Sequence, residues 1–225
     1  MKTLDLHALL LGDPQRIRYI TRYSTCMAFH KESVAEHSFF TCYIANLIGH
    51  WVEGNCHLKL DWRKLMTAGV LHDVDESLTG DFYRPFKYSD PQLLADLRRG
   101  AALAMEQVAL QLTGTASDDT PFYETKGAYD LYCFWRDAKD DTPEGCILAL
   151  ADFLSVVSYI SQEIAASNFL MREHVKTVRE FRDEFDGPHF DFLRPLIEQV
   201  SGIIDLYIMD PRISEQGVAN PCLNR

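Results

Sequence analysis

The stretch DWRKLMTAGVLHDVDESLTGD, residues 61–81, decides how the chain folds. Its apolar positions Trp62, Leu65, Met66, Gly69 and Val70 recur at helical spacing, and Asp61 is placed to cap the first turn. The spacing predicts a helix that ends near His72-Asp73. The same period returns on both sides. Ser33-Val-Ala-Glu36 is a capping box that opens a helix over Val34 to Val52. Pro91 to Leu112 is a long amphipathic run despite Gly100. Thr142-Pro143-Glu144 supplies a cap, a first-turn proline and an early carboxylate for a helix through Ala166. Two more helices are expected over Arg172 to Phe185 and Phe190 to Ile208. Alternating strand patterns joined by Asn-Gly or Asp-Gly turns are missing; Asp186-Gly187 is followed by Pro188 and reads as a helix break. There is no internal repeat. The expectation is one all-α domain over residues 1–210, with weakly ordered segments at Leu112 to Thr120 and after Asp210, and a flexible tail over 211–225.

Composition bounds the function. The chain has 225 residues, enough for one domain with a sizeable core, and is 47% hydrophobic and 24% charged. The N-terminal MKTLDLHALLLGDPQRIRY carries Asp5 and His7 and lacks a small-residue cleavage site, so it does not read as a signal peptide. No apolar run is read as a membrane span. Thirty-three acidic residues against 22 basic ones give a formal charge of −11. That balance disfavours binding to a nucleic-acid polymer or an anionic membrane, yet allows a small phosphorylated ligand in a local basic pocket. The six cysteines form no CxxC pair, which excludes a zinc ribbon or redox motif. Cys42 and Cys146 read as buried free thiols, and the pattern favours a reducing, cytoplasmic setting.

The chemistry gathers around His72-Asp73. An adjacent imidazole and carboxylate at a helix end offer two ligand types to one metal ion. Alone, the dipeptide is a weak signal. Glu76 follows one turn later and can face the same cavity. His37, on a helix rich in Phe39, Phe40, Tyr43, Ile44 and Leu47, reads by itself as a core histidine. Asp152, inside the apolar run Leu148-Ala-Leu-Ala-Asp152-Phe-Leu, is costly unless paired or coordinated, and its structural alternative is a buried ion pair. Phe39, Phe40, Phe153 and Tyr159 read as core rather than as a base-stacking platform. His7, His50, His57, His174 and His189 have no partner at ligand spacing, and His30 is at most a pocket candidate.

The order His37, His72-Asp73, Asp152 on separate helices resembles the HD-domain phosphohydrolases. Glu36-His37-Ser38, His72-Asp73-x-x-Glu76, Leu78-Thr-Gly-Asp81 and Pro85-x-Lys87-Tyr88, with Arg22 upstream and Ala151-Asp152 downstream, are similar to the YfbR-type 5′-deoxynucleotidases. The resemblance covers about residues 15 to 160 and implies an all-helical HD-domain bundle. It further implies one divalent ion (cobalt, manganese, zinc, iron or magnesium) held by His37, His72, Asp73 and Asp152.

The other roles follow from the same resemblance. Glu76 would orient or deprotonate water, and Asp81 would act as acid toward the leaving oxygen. Taken alone, Asp81 also reads as a turn residue after Thr79-Gly80. Arg22 and Lys87 would bind phosphate. Comparable deoxynucleotidases carry tryptophan after the arginine, where this chain has Tyr23, still an aromatic ring for the sugar. Asp75 reads as a helix-surface or cap residue. Arg84 adds a charge near Lys87, which keeps open a triphosphohydrolase acting on deoxynucleoside triphosphates, although a solvated loop arginine is the simpler account. The expected activity is conversion of deoxynucleoside 5′-monophosphates to deoxynucleoside and phosphate by a homodimer or higher homo-oligomer. A non-catalytic nucleotide-binding module is the alternative from another class.

Overall fold

The computed structural model describes residues 6–113, 122–174, 178 and 182–204. Among them the chain is helical, and its only extended pairing is an isolated antiparallel bridge between Thr21 and Ser33. The helices are α1 (Leu6–Leu11), α2 (Val34–Cys56), α3 (Trp62–Leu71), α4 (Glu76–Thr79), α5 (Arg84–Lys87), α6 (Pro91–Thr113), α7 (Lys126–Arg136), α8 (Pro143–Ala165) and α9 (Arg194–Ile203).

The predicted starts hold because the side chains that signal them make the bonds. Ser33 Oγ accepts from Glu36 N at 3.2 Å while Glu36 accepts from Ser33 N at 2.7 Å. Asp61 accepts from Lys64 N at 3.0 Å, and Thr142 from Gly145 N at 3.3 Å. Each satisfies N–H groups that a helix start leaves unpaired. Helix α2 runs one turn past Val52, until His57 turns left-handed with φ 55°.

Two differences have physical reasons. Helix α7 is absent from the sequence reading, although Ala128, Leu131, Tyr132 and Trp135 stand at i, i+3, i+4 and i+7 and pack on Met105 and Val108 of α6; Gly127 and the crowd of aromatics obscure the period. The helix expected from Phe190 starts as a 3-10 turn, Pro188–Leu193, because Pro195 has no N–H to continue an earlier α-helix and is instead tolerated in the first turn of α9. The helix expected over Arg172 to Phe185 is α-helical at its described residues Val178, Arg182 and Asp183, with 3-10 turns at Phe169–His174 and Glu184–Asp186 on either side. Residues 175–177 and 179–181, residues 114–120 of the weakly ordered linker and the expected tail lie outside the described residues.

Helix α8 is the centre. Fifteen of its 23 residues are buried, so it is enclosed rather than amphipathic. It is also the one described helix long and apolar enough to cross a membrane, but 67% of that window is buried inside the protein, as a core helix requires. It packs on α2, α3 and the 3-10 turns at 169–174 and 188–193. A second, smaller core lies between α6 and α7 and receives Leu71 and Val74. The His72-Asp73 turn therefore sits at the seam of two cores. Phe153 and Tyr159 are core residues, as expected. Phe39 and Phe40 are not: they are 65% and 50% exposed, on an outward strip of α2 with Tyr43 and Leu47. The strip lies opposite the buried face that carries His37, Thr41, Ala45 and Ile48.

A polar stripe on α8 fastens the segment before α2. Asp152, Ser155, Tyr159 and Glu163 recur at three- and four-residue steps and share one face. Tyr159 donates to His30 O at 2.6 Å. Glu163 accepts from Phe29 N at 2.7 Å, His30 N at 2.8 Å and Asn168 Nδ2 at 2.6 Å, and its Oε1 lies 2.9 Å from His30 Nδ1. His30 is thus a pin for this loop and not a pocket residue. Burial alone would raise the Glu163 carboxyl, but the bonds from Asn168, Phe29 and His30 outweigh it and hold it below its usual range.

Glu163→Gln should therefore cost about 2–3 kcal/mol at neutral pH, from donors left without a carboxylate. A carboxyl depressed by folding contributes stability that is complete above about pH 4.5 and lost as pH falls through the folded value. The gap between wild type and variant should narrow in acid. Urea unfolding at several pH values reads this, and a pH-independent gap would contradict it.

Candidate active site

Two histidines are aimed by their outer nitrogens. His72 Nδ1 donates to Gly69 O at 2.7 Å, and His37 Nδ1 lies 3.1 Å from Ser155 Oγ on α8. Both Nε2 atoms then face one another's neighbourhood, the arrangement that fixes a ligand's tautomer. Gly69 also lets α3 lie close to α2, since a Cβ there would stand 2.9 Å from Cys42 Sγ. That approach brings His72 near His37, with ring centroids 5.6 Å apart.

Two carboxylates close the cluster. Asp73 Oδ2 is 3.1 Å from His72 Nε2 and 3.5 Å from His37 Nε2; Asp152 Oδ1 is 2.8 Å from His37 Nε2. Donor atoms of His37, His72 and Asp73 all lie within 4.8 Å of one another, a group that can hold a metal ion. His72 Nε2 is buried with no hydrogen-bond partner among the described residues, despite the nearness of Asp73. A buried imidazole nitrogen 3.1 Å from a carboxylate oxygen, with no hydrogen bond formed, fits a cation between them. The donor set, two nitrogens with carboxylate oxygens, fits as well.

The two histidines differ in their electrostatics: burial works to lower His72, but Asp73 and Asp152 outweigh it and raise the ring above its usual value. Burial and the Arg22 charge lower His37 to about 4, so it is a neutral ring at physiological pH. Burial opposes ionisation of Asp73 and Asp152, but His72 at the first, and Lys139 and His37 at the second, hold both well below the usual carboxylate range. Asp152 thus combines the two readings its sequence left open: it joins the cluster and also forms an ion pair, with Lys139 Nζ at 2.5 Å from Oδ2.

The cluster floors a cavity of about 460 Å³. Glu76 reaches it from the start of α4, with Oε2 buried and without a hydrogen-bond partner among the described residues. Burial, then Asp73 and Asp81, raise its carboxyl well above the usual value. Gly80, at φ 77°, turns the chain so that Asp81 also lines the cavity. Burial raises Asp81 too, while Arg22 and the Tyr23 backbone N–H work against it. Asp81 is therefore placed in the site rather than left as a solvent-facing turn residue.

Arg22 is not on a helix. The Thr21–Ser33 bridge, Arg22 N to Glu32 O at 2.9 Å and Arg22 Nη1 to Glu32 Oε2 at 3.0 Å hold it in a small hairpin. Its burial is outweighed by Tyr23, Glu32, Asp73 and Asp152, which keep it charged. Tyr23 takes a left-handed backbone, φ 53°, and stacks on Tyr159 with centroids 5.1 Å apart; burial pushes its phenol up to about 12. Lys87 lines the same cavity. Thus all nine residues singled out in the sequence converge on one place.

Some expectations need correcting. Asp75 is not a surface residue: it stands at the N-cap position of α4 without a side-chain capping bond, is buried, and accepts from Trp135 Nε1 at 2.8 Å. Arg84 pairs with Glu184 and lies over the Tyr88 ring at 4.5 Å, across the cavity mouth, so it is not a solvated loop residue. His174 and His189 line the cavity although they lack ligand spacing, with Val156, Ile160, Phe185 and Phe190 as an apolar wall. Lys139 and Glu32 were missed altogether. Lys139 hides in the charged run Arg136-Asp-Ala-Lys-Asp-Asp141, which reads as solvated, and only the fold returns it to Asp152.

The sequence profile of the family described as 5′-deoxynucleotidase YfbR-like matches residues 12–197. A 5′-deoxynucleotidase of Vibrio atlanticus is 22% identical over 178 residues, 79% of this chain and 86% of that protein. One from Photobacterium profundum is 22% identical over 191 residues, 84% and 93% of the two chains. The fold is similar to an HD-domain phosphohydrolase of Listeria innocua, with TM-score 0.66, 22% identity and 89% coverage of each chain. A Pyrococcus horikoshii protein follows at TM-score 0.63 and 17% identity, over 85% of this chain and 96% of that one.

The Asp75–Trp135 bond ties the ligand turn to α7. Trp135→Phe should lower stability by about 1–3 kcal/mol by leaving a buried carboxylate without its donor. Chemical denaturation measures this, and an unchanged unfolding midpoint would refute it.

Proposed function

Because the chain belongs to the YfbR-like 5′-deoxynucleotidase family, we propose that it is a metal-dependent phosphohydrolase converting deoxynucleoside 5′-monophosphates to deoxynucleoside and phosphate. The observation that carries this reading is the convergence of the His37–His72–Asp73 group with Glu76, Asp81 and Arg22 on one cavity.

In this reading His37, His72, Asp73 and Asp152 hold one divalent ion. A bound ion supplies Lewis acidity: it polarises phosphate and lowers the pKa of water and of neighbouring acids. The rest falls to the chain's own groups. Arg22, kept charged and oriented by Glu32, presents its planar fork to the phosphate, with Lys87 as a second cation. Glu76 takes the proton of the attacking water. Asp81, its carboxyl raised by burial, gives a proton to the departing 5′ oxygen. Tyr23, fixed by its stack on Tyr159, faces the sugar, and the wall of Val156, Ile160 and Phe185 receives the base.

A second copy of the chain completes the proposal. The exposed strip of Phe39, Phe40, Tyr43 and Leu47 on α2 is the kind of contiguous apolar surface a homodimer covers. Light scattering should give twice the chain mass, and Tyr43→Glu should return the monomer mass. A monomeric wild type would end this part of the proposal.

Asp73→Ala should lose both stoichiometric metal, read by elemental analysis, and hydrolysis of deoxynucleoside monophosphates. Glu76→Gln should keep its metal while kcat falls by about 10²–10⁴-fold. Product chromatography over ribo- and deoxynucleotides, with cobalt, manganese, magnesium and zinc in turn, measures the activity. Full turnover by the Asp73 variant would sink the assignment.

A further inference from the structure

The turn between α7 and α8 delivers one cation to the buried cluster, and several contacts fix its course. Ala138 is buried in the main core. Asp140 accepts from Lys64 Nζ on α3 at 2.6 Å and from Thr142 N at 3.2 Å. Gly145, in the first turn of α8, leaves room for this turn, since a Cβ there would stand 2.2 Å from Asp140 O. Arg136 pairs with its neighbour Asp137, so Lys139 is the basic residue of the run 136–141 that is turned inward, onto Asp152 Oδ2.

The described partners of Asp152 differ in kind. His37 is fully buried, and its other ring nitrogen lies 3.1 Å from Ser155 Oγ, so it is fixed in the core. The Lys139 side chain is 37% exposed and lines both the cavity of about 460 Å³ and a second one of about 440 Å³. Its charge sits at the end of a flexible four-carbon stem. Lys139 is therefore the partner that can give up its oxygen without disturbing the core.

We propose that Lys139 is a resident counter-cation, which neutralises Asp152 in the metal-free protein and competes with the divalent ion for that carboxylate. The inference rests on the metal reading above and adds to it a residue that is not a ligand. An ammonium that shares a carboxylate with a divalent ion repels that ion and lowers the affinity of the site. In exchange, the metal-free chain avoids a buried carboxylate left unmatched, which is strongly destabilising. Where no such cation is present, metal binding and folding become one event. Lys139 separates them, so that the chain folds before it is loaded and exchanges its ion without unfolding.

The test uses the full chain, stripped of metal, as wild type, Lys139→Met and Lys139→Gln. Methionine removes both charge and donor, whereas glutamine keeps a donor for Asp152 without the charge. Both neutral variants should melt below the wild type when metal-free, Lys139→Met by more. In calorimetric titration with manganese or cobalt chloride, both should bind the ion about tenfold more tightly or better. Manganese should accordingly raise their melting temperatures by more than it raises that of the wild type. Lys139→Arg restores the charge and should bring the affinity back to within about threefold of the wild type. If Lys139→Met folds only with manganese present, that supports the proposal, and Lys139→Gln then carries the affinity comparison. Ion affinity that is unchanged or weaker in the neutral variants would overturn the proposal while the metal reading stands, because a lysine that only packed or only steadied Asp152 would not tighten the ion when removed. Equal melting of the metal-free forms would overturn it as well. A wild type that binds neither manganese nor cobalt would sink both the proposal and the metal reading.

Discussion

A carboxylate in the middle of a buried helix has to be matched, and the match for Asp152 organises this protein. Its two oxygens are divided between His37, from α2, and Lys139, from the segment before α8. An unmatched ion at that depth would cost several kcal/mol. The helices that supply the partners are therefore constrained in both distance and rotation, and α3 must then approach closely enough for His72 and Asp73 to join. The ligand cluster follows from how the core is allowed to pack.

The same helix carries the substrate side. Tyr159 and Glu163 hold the loop after Tyr23, while Glu32 and the Thr21–Ser33 bridge close the hairpin that presents Arg22. This loop leaves its large apolar side chains, Met27 and Phe29, exposed, so its order comes from donated hydrogen bonds. The cationic fork and the His37–His72–Asp73 group are thus positioned from one scaffold. Precision of this kind is what binding a small, highly charged group requires.

Much of this was legible before any coordinates. Caps at Ser33, Asp61 and Thr142 are short-range devices, and each marked a real helix start. The ordered set His37, His72-Asp73, Asp152 with Glu76, Asp81 and Arg22 picked out side chains that the fold gathers at one cavity. What escaped was long-range. Lys139 reads as one more solvated charge until the turn before α8 folds it onto Asp152. Phe39 and Phe40 carry the composition of a core, yet helical phase puts them on the face opposite His37. His174 and His189 have no ligand spacing because they shape a cavity rather than bind an ion.

Asp152 and Glu163 stand eleven residues apart on α8, three turns and about 16 Å along its axis. Their shared face depends on an unbroken count of residues between them. One residue gained or lost in that interval would rotate the far end by about 100° and carry Glu163 away from the loop, whatever the inserted residue's chemistry. Side chains along this stretch can vary within their packing limits, but its length cannot. For divergent relatives, a fixed spacing between these two acids is the mark to look for, more durable than identity at the positions between them.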